Sequence, residues 1–314
     1  MLIIDGNNLA IRAYFGYSYQ INTIEVGMLY GFLDMLRKYI KKFKPDYVFA
    51  VFDGGHSRRR KKIYKQYKVK ERTMEDKIRL AIIIEYIDII KSILPYFKIK
   101  PIFLKGVEGD DLIYTLCKIY KKVKRVVVSS DIDFLQLLKS FNLSIYLPTK
   151  EIYVNKKNFV EIMGVYPIEF LFMRAVVGDR SDRIDGISGI GEKTIKKVIE
   201  RNRDKFADSG IYKSIENLKV FLNNLELINK REQLLLNQEE KIYRNIQLMD
   251  LSKEYKENLK DIVKKEIKKN KKFLKPLVKK EIKEKKIMQF FYKYCLFAKI
   301  NDFSEFIRPF KRLK

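Results

Sequence analysis

The sequence predicts an α/β protein: a mostly parallel central sheet flanked by helices, followed by a mostly helical second part. Three observations carry this reading. Short apolar runs at residues 2–4, 47–52, 99–103 and 125–129 have the length and branched composition of buried strands. The stretches between the runs place apolar residues three and four apart, and such alternation is how a parallel sheet covered by helices is built. From about Asn155 the strand signals fade. The chain therefore divides into an α/β part, 1–154, and a mostly helical part, 155–314, expected to form one compact unit.

Taken in order, the chain opens on a strand and continues with a helix from Asn22, where Glu25 three residues on resembles a capping box. This helix ends near Lys42, before Pro45. A second long helix follows Thr73 and stops before Pro95. Pro167 suits a helix start, and a glycine-rich turn at 186–191 leads into Glu192-Lys193-Thr194. Residues 253–286 hold 15 lysines and six acids, interrupted by Pro276, and read as a solvated lysine-rich helix pair rather than a dedicated nucleic-acid grip.

The 314 residues carry 66 Lys and Arg against 39 Asp and Glu, a net charge of +27, with 46% hydrophobic and 13% aromatic residues. That is too apolar for a disordered basic tail, and it points to a folded protein with a polyanionic partner. One histidine, His56, and two cysteines exclude a zinc site and a disulfide framework. No apolar run is long enough to span a membrane, and the chain opens directly on a strand-like segment. The expectation is a soluble protein of a reducing compartment, without membrane attachment.

Acids are the minority, yet they recur where such a sheet presents its functional groups, at the carboxyl ends of strands. Asp5 ends the first strand and Asp53 the second. Glu108, Asp110 and Asp111 follow the third, and Asp131 and Asp133 the fourth. Asp179 and Asp182 come after an apolar segment that can return them to the same edge. Singly, each reads as a helix cap or a surface acid. Nine together cannot all stay ionised unless cations neutralise them, and oxygen-only donors favour magnesium or manganese. Two such ions about 4 Å apart suit phosphodiester hydrolysis.

Beside the acids, residues 57–72 hold nine basic residues and one acid, with Tyr64 and Tyr67 interleaved. Crowded cations such as Arg58, Lys61, Lys68 and Arg72 repel one another unless an anion is bound, and a tyrosine face can stack on an unpaired base. Arg12, seven residues after Asp5, can turn toward the cleft from a helix. The turn at 186–191 narrowly fails as a phosphate loop of nucleotide hydrolases, because Glu192 stands where lysine is required. Its small residues before a helix, with Gly189, Gly191, Lys193 and Thr194, still suit a DNA phosphate. His56, among the cations, reads as a passive surface residue.

At these residues the sequence resembles the 5′ nuclease family of flap endonucleases, phage 5′ exonucleases and the nuclease domain of bacterial repair polymerases. The motifs are Ile4-Asp5-Gly6-Asn7-Asn8, Val51-Phe52-Asp53-Gly54, Gly106-Val107-Glu108-Gly109-Asp110-Asp111, Ser129-Ser130-Asp131-Ile132-Asp133-Phe134 and Val177-Gly178-Asp179-Arg180-Ser181-Asp182 leading to Gly189-Ile190-Gly191. The length, the lack of a polymerase region and Tyr243-Arg244-Asn245-Ile246 look most like the stand-alone phage enzymes.

The resemblance implies a PIN-like, resolvase-like nuclease core with a helix-three-turn-helix at about 183–202 and a basic arch at about 54–75. It assigns Asp5, Asp53, Glu108, Asp110 and Asp111 to a first metal site, and Asp131, Asp133, Asp179 and Asp182 to a second. Lys68 would touch the scissile phosphate, Tyr67 would stack on a base, and the glycine turn would hold potassium. The implied activity is structure-specific cleavage of DNA with 5′ flaps, nicks or 5′ ends, or of RNA–DNA hybrids, by a cytoplasmic monomer in replication or repair. The competing readings are an inactive DNA binder and a PIN-type ribonuclease. Gly109 replaces the family's usual alanine, expected to matter little, and Glu71 with Arg72 departs from its arginine spacing.

Overall fold

A computed structural model of the chain describes residues 1–138, 142–207, 209–254, 259, 261–263 and 281–314. Most of the lysine-rich stretch 253–286 lies outside these residues. Six strands, β1 (Leu2–Asp5), β2 (Val48–Val51), β3 (Lys100–Ile102), β4 (Arg125–Val128), β5 (Leu143–Leu147) and β6 (Ile152–Asn155), form one sheet in the order β3-β2-β1-β4-β5-β6. All neighbours are parallel except β5 and β6. The four expected strands are present, and the two additional ones close the second edge.

Alternation along the strands builds two cores, one on each face. Ile3, Phe49, Val51 and Val127 point into one, and Leu2, Ile4, Val48, Ala50, Val126 and Val128 into the other. The first face is covered by α5 (Gly109–Ile119), α7 (Phe170–Val177), α8 (Glu192–Arg201), α9 (Ile215–Asn223) and α10 (Glu239–Met249). The second carries α1 (Gly6–Gly16), α2 (Val26–Phe43), α4 (Met74–Ile93) and two C-terminal helices, Glu284–Lys293 and Phe303–Lys311. Each layer thus buries an apolar face that neither helix nor sheet could bury alone. The last helices return to the first half of the chain: the rings of Phe310 and Phe291 lie 4.6 and 6.4 Å from that of Phe97, both tilted against it.

Local signals explain the boundaries. The helix expected after Thr73 is α4, and Thr73 caps it with the reciprocal Asp76 contact of a capping box. Asn22, in contrast, has φ +53 inside a tight turn, and α2 begins at Val26 with no side-chain cap. α1 starts directly from Asp5, which accepts the Asn8 N–H and so satisfies one donor at the helix end. Besides short 3₁₀ turns, the other elements among the described residues are α3 (Arg58–Ile63), α6 (Phe159–Met163), a two-residue pair β7 (Gly178–Asp179) and β8 (Ile184–Asp185), and the short α11 (Ser252–Glu254). Pro167 opens the turn that enters α7. Among the described residues no helix is long and apolar enough to cross a membrane, and both Cys117 and Cys295 are free thiols.

Candidate active site

The strand order reverses between β1 and β4, so a crevice opens beyond their carboxyl ends. Asp5 stands there at the end of β1. Its Oδ1 accepts the Asn8 N–H at 3.0 Å and its Oδ2 the Ser129 hydroxyl at 2.6 Å. Asp53, past the end of β2, accepts the Gly109 N–H at 2.6 Å. A Cβ on residue 109 would stand 3.0 Å from that carboxylate oxygen, so alanine there would push Asp53 aside by a few tenths of an ångström. The glycine matters more than the sequence suggests. Asp110 lies in the first turn of α5. Asp131 caps the 3₁₀ turn Ile132–Leu137 through the Asp133 N–H at 2.7 Å, and its own N–H donates to Ser129 Oγ at 3.1 Å. Capping and clustering are therefore the same geometry: the helix starts that need acceptors all meet the sheet at this edge.

Crowding shows in the acidities. Burial, opposed by hydrogen bonds from Ser129 and Asn8, pushes the Asp5 carboxyl up to about 6. Burial and the neighbouring Asp133 charge push Asp131 to about 7. Burial and the Asp131 charge raise Asp110 well above the carboxylate range. Among the described residues no ion pair is formed by Asp5, Asp53, Asp110 or Asp131, whereas the other five acids each have a cation of the chain beside them.

Two arginines that sequence reasoning passed over supply most of those cations. Arg60 is 1% exposed; its guanidinium meets Asp111 at 2.6 and 2.7 Å, Glu108 at 3.3 Å and the Leu248 carbonyl at 2.8 Å. Burial works against its charge, but Asp111 holds it firmly protonated. Arg174, on α7, forks between Asp133 at 2.7 Å and Asp179 at 2.8 Å. The nine predicted acids thus gather at one edge of the sheet, but four of them, Glu108, Asp111, Asp133 and Asp179, are bound to arginines. Among the described residues no three acidic, histidine or cysteine side chains are placed to hold a metal ion as they stand. What fits a hard divalent cation is the remaining donor set: half-buried Asp5, Asp110 and Asp131 with exposed Asp53 beside them, none in an ion pair, whose mutual repulsion a cation would relieve.

The basic segment 57–72 packs against this edge through Arg60, Tyr67 and Lys68. Lys68 has φ +53; its ammonium lies 2.9 Å from Glu108 and 3.6 Å from Asp182, and its charge also acts on Asp5, Asp110 and Asp133. Tyr67 departs from its expected place as a stacking platform. Its ring is 2% exposed, packed with Ile184, Leu248 and Met249, because its hydroxyl donates to Glu108 at 2.9 Å. Arg58 and Arg72 are exposed and Lys61 is half-buried, while Arg59 turns inward to Glu254 and the Gln247 carbonyl. Arg12 donates to the Tyr39 hydroxyl at 2.9 Å rather than to an acid. In the turn before α8, Gly189 has φ +81, Gly191 takes the N-cap position, and Lys193 is exposed beside half-buried Thr194. Lys196 pairs with Glu192 at 2.6 Å, so it belongs to the helix surface.

Comparison with known proteins gives a consistent result. Residues 1–164 match the family model of the 5′-3′ exonuclease N-terminal resolvase-like domain. The chain is 32% identical over 228 residues to DNA polymerase I of Caldicellulosiruptor bescii, an alignment covering 70% of this chain and 26% of that protein. It is 31% identical over 223 residues to a 5′-3′ exonuclease of Aquifex aeolicus, covering 69% of this chain and 71% of the relative. The chain thus spans about a quarter of the polymerase and most of the exonuclease. Among solved structures, a T5 protein co-crystallised with metal ions shares the fold with a TM-score of 0.69 and 22% identity, over 87% of this chain and 99% of that one.

Proposed function

The chain belongs to the 5′-3′ exonuclease family, and on that premise we propose that it is a divalent-metal-dependent, structure-specific 5′ nuclease. In this reading it hydrolyses phosphodiester bonds in DNA bearing 5′ flaps, nicks or 5′ ends, and in RNA–DNA hybrids, leaving a 5′ phosphate and a 3′ hydroxyl. The observation that carries the reading is the set of four unpaired aspartates, Asp5, Asp53, Asp110 and Asp131, at the sheet's switch point beneath a basic arch.

Those four aspartates would hold one magnesium or manganese ion; a second, at Asp131, Asp133, Asp179 and Asp182, would require Arg174 to give up Asp133 and Asp179. Bound there, such ions supply Lewis acidity toward the scissile phosphate and lower the pKa of a water. The chain's own residues do the rest. Lys68 is already aimed into the cleft, where its ammonium offsets charge developing on the phosphate. Arg58, Lys61 and Arg72 on the arch neutralise the single strand. The turn before α8 offers free N–H groups to a duplex phosphate, and its carbonyls suit a potassium ion. Buried Tyr67 serves as an anchor of the arch rather than a base platform. A monomer acting in the cytoplasm, during primer removal or repair, completes the proposal.

The test is incubation of labelled flap, nicked, single-stranded and hybrid substrates with magnesium, manganese or a chelator. Cleavage should follow the metals and the 5′ structures. Asp131→Asn and Asp179→Asn should lose cleavage while retaining junction binding. Binding by the wild-type protein with no cleavage in either metal would reject the reading.

A further inference from the structure

Glu108 sits in the same Gly-Val-Glu-Gly-Asp-Asp segment as Asp110, yet its carboxylate is spent on the arch. Oε1 accepts the Ser57 N–H at 2.8 Å. Oε2 accepts the Tyr67 hydroxyl at 2.9 Å, the Lys68 ammonium at 2.9 Å and the Arg60 guanidinium at 3.3 Å. A carboxylate has about four acceptor sites. All four donors come from one stretch of chain, 57–68, and the side chain that receives them is 2% exposed. Burial favours its neutral form, but Arg60 and Lys68 hold its carboxyl below the ordinary range.

Lys68 is fixed from both ends. Its backbone N–H donates to the Asp182 carbonyl at 3.0 Å, its φ is +53, and its ammonium lies between Glu108 and Asp182. A free lysine side chain is rich in rotamers. Here that freedom is lost before any substrate arrives, chiefly to Glu108 at hydrogen-bond distance, with Asp182 at 3.6 Å on the other side.

From this geometry we infer that Glu108 is a positioning residue acting through Lys68, and not a cation ligand like its neighbour Asp110. It aims the ammonium at the phosphate site and ties the arch, through Arg60 and Tyr67, to the start of α5. The inference rests on the nuclease reading above.

A double-mutant cycle separates the two roles. On a 5′-flap substrate with saturating magnesium, E108Q is expected to lower kcat about tenfold and K68A about a hundredfold. Because one acts through the other, the double variant should be no slower than K68A. In parallel, manganese binding followed by electron paramagnetic resonance should stay within about twofold of wild type in E108Q and weaken clearly in D110N. E108D, which keeps the charge but withdraws it from Lys68, should behave as E108Q and serves where E108Q does not fold. Multiplying effects of E108Q and K68A, or loss of manganese affinity in E108Q equal to that in D110N, would overturn the inference. A wild-type protein that cuts nothing would instead remove the nuclease reading, and the inference with it.

Discussion

At the scale of single residues, the cleft holds two kinds of acid: four aspartates without an ion pair, and five acids paired with Arg60, Arg174 or Lys68. A carboxylate just past a strand end is conspicuous in a basic chain, whereas its cationic partner is not. Arg60 stands among nine cations, and nothing in 57–72 marks it as the one that turns inward. Arg174 did leave a signal: it is the lone charge in the apolar helix Phe170–Val177, and such a charge needs a buried partner. The four unpaired aspartates imply a cost to the fold that function offsets. Removing one charge by Asp131→Asn should raise the midpoint of thermal unfolding in chelator by a few degrees, even as it abolishes cleavage. Magnesium should stabilise wild type more than the variant; a lower midpoint in chelator would contradict the crowding argument. Asp34 gives a case of opposite sign. Burial raises its pKa, but hydrogen bonds from Lys38 and Arg37, at 2.8 and 2.7 Å, outweigh that and hold it below the usual value of 3.8. Its contribution is therefore present above pH 4 and lost as pH falls through the folded value. Asp34→Asn should cost about 1–3 kcal/mol in denaturant unfolding at pH 7, and the difference from wild type should shrink below pH 3.

At the scale of elements, long periodic helices such as α4 were readable from capping and spacing, whereas short elements were not. β5 is buried on both faces, but Ser144 and Tyr146 break its apolar run, and β6 follows a charged turn at Lys150 and Glu151. α1 hides because its N-cap is also the first acid of the site, so one residue carries two signals. The proposed arch is seated by α3. Arg60 and Arg59 bind the carbonyls of Leu248 and Gln247 at the end of α10, so the arch base is tied to both sheet and helical layer. Arg60→Ala would strand Asp111 without its bidentate partner and should cost about 3–5 kcal/mol. Limited proteolysis should then cut first within 57–72; protection equal to wild type would show that the arch is held by other contacts. The C-terminal helices are read differently from the lysine count around them: Phe306 and Phe310 are fully enclosed against Phe97 and Phe291. Phe310→Ala should lose about 3–5 kcal/mol by leaving a cavity, measured as a lower denaturant midpoint at unchanged slope.

At the scale of the whole molecule, the sheet sorts charge as well as packing. Minority acids collect at the switch point, with the chain's nearest arginines and lysine already committed to five of them. The excess of 27 positive charges is therefore carried elsewhere, on surfaces such as Arg58, Arg72 and Lys193. Net charge was legible from composition, but its separation from the acids depends on the three-dimensional meeting of strand ends, which no local pattern records. The separation has a measurable consequence. Phosphate contacts made by the basic surface release counterions, so the logarithm of the binding constant should fall linearly with the logarithm of salt. If about six to ten phosphates are engaged, affinity for a nicked or flapped duplex should drop about 10³–10⁵-fold between 50 and 200 mM salt. Because those contacts reach backbone rather than base edges, permuting the duplex sequence should leave affinity unchanged. Neutralising one arch cation, as in Arg72→Ala, should reduce the steepness by about one contact and leave the thermal midpoint where it was. Titration of fluorescent junction DNA in calcium at several salt concentrations measures the salt slope, its sequence independence and its reduction in the variant, and thermal unfolding measures the midpoint. A flat salt response would mean that the positive surface does not meet the nucleic acid, and that the acids at the switch point are reached from another side.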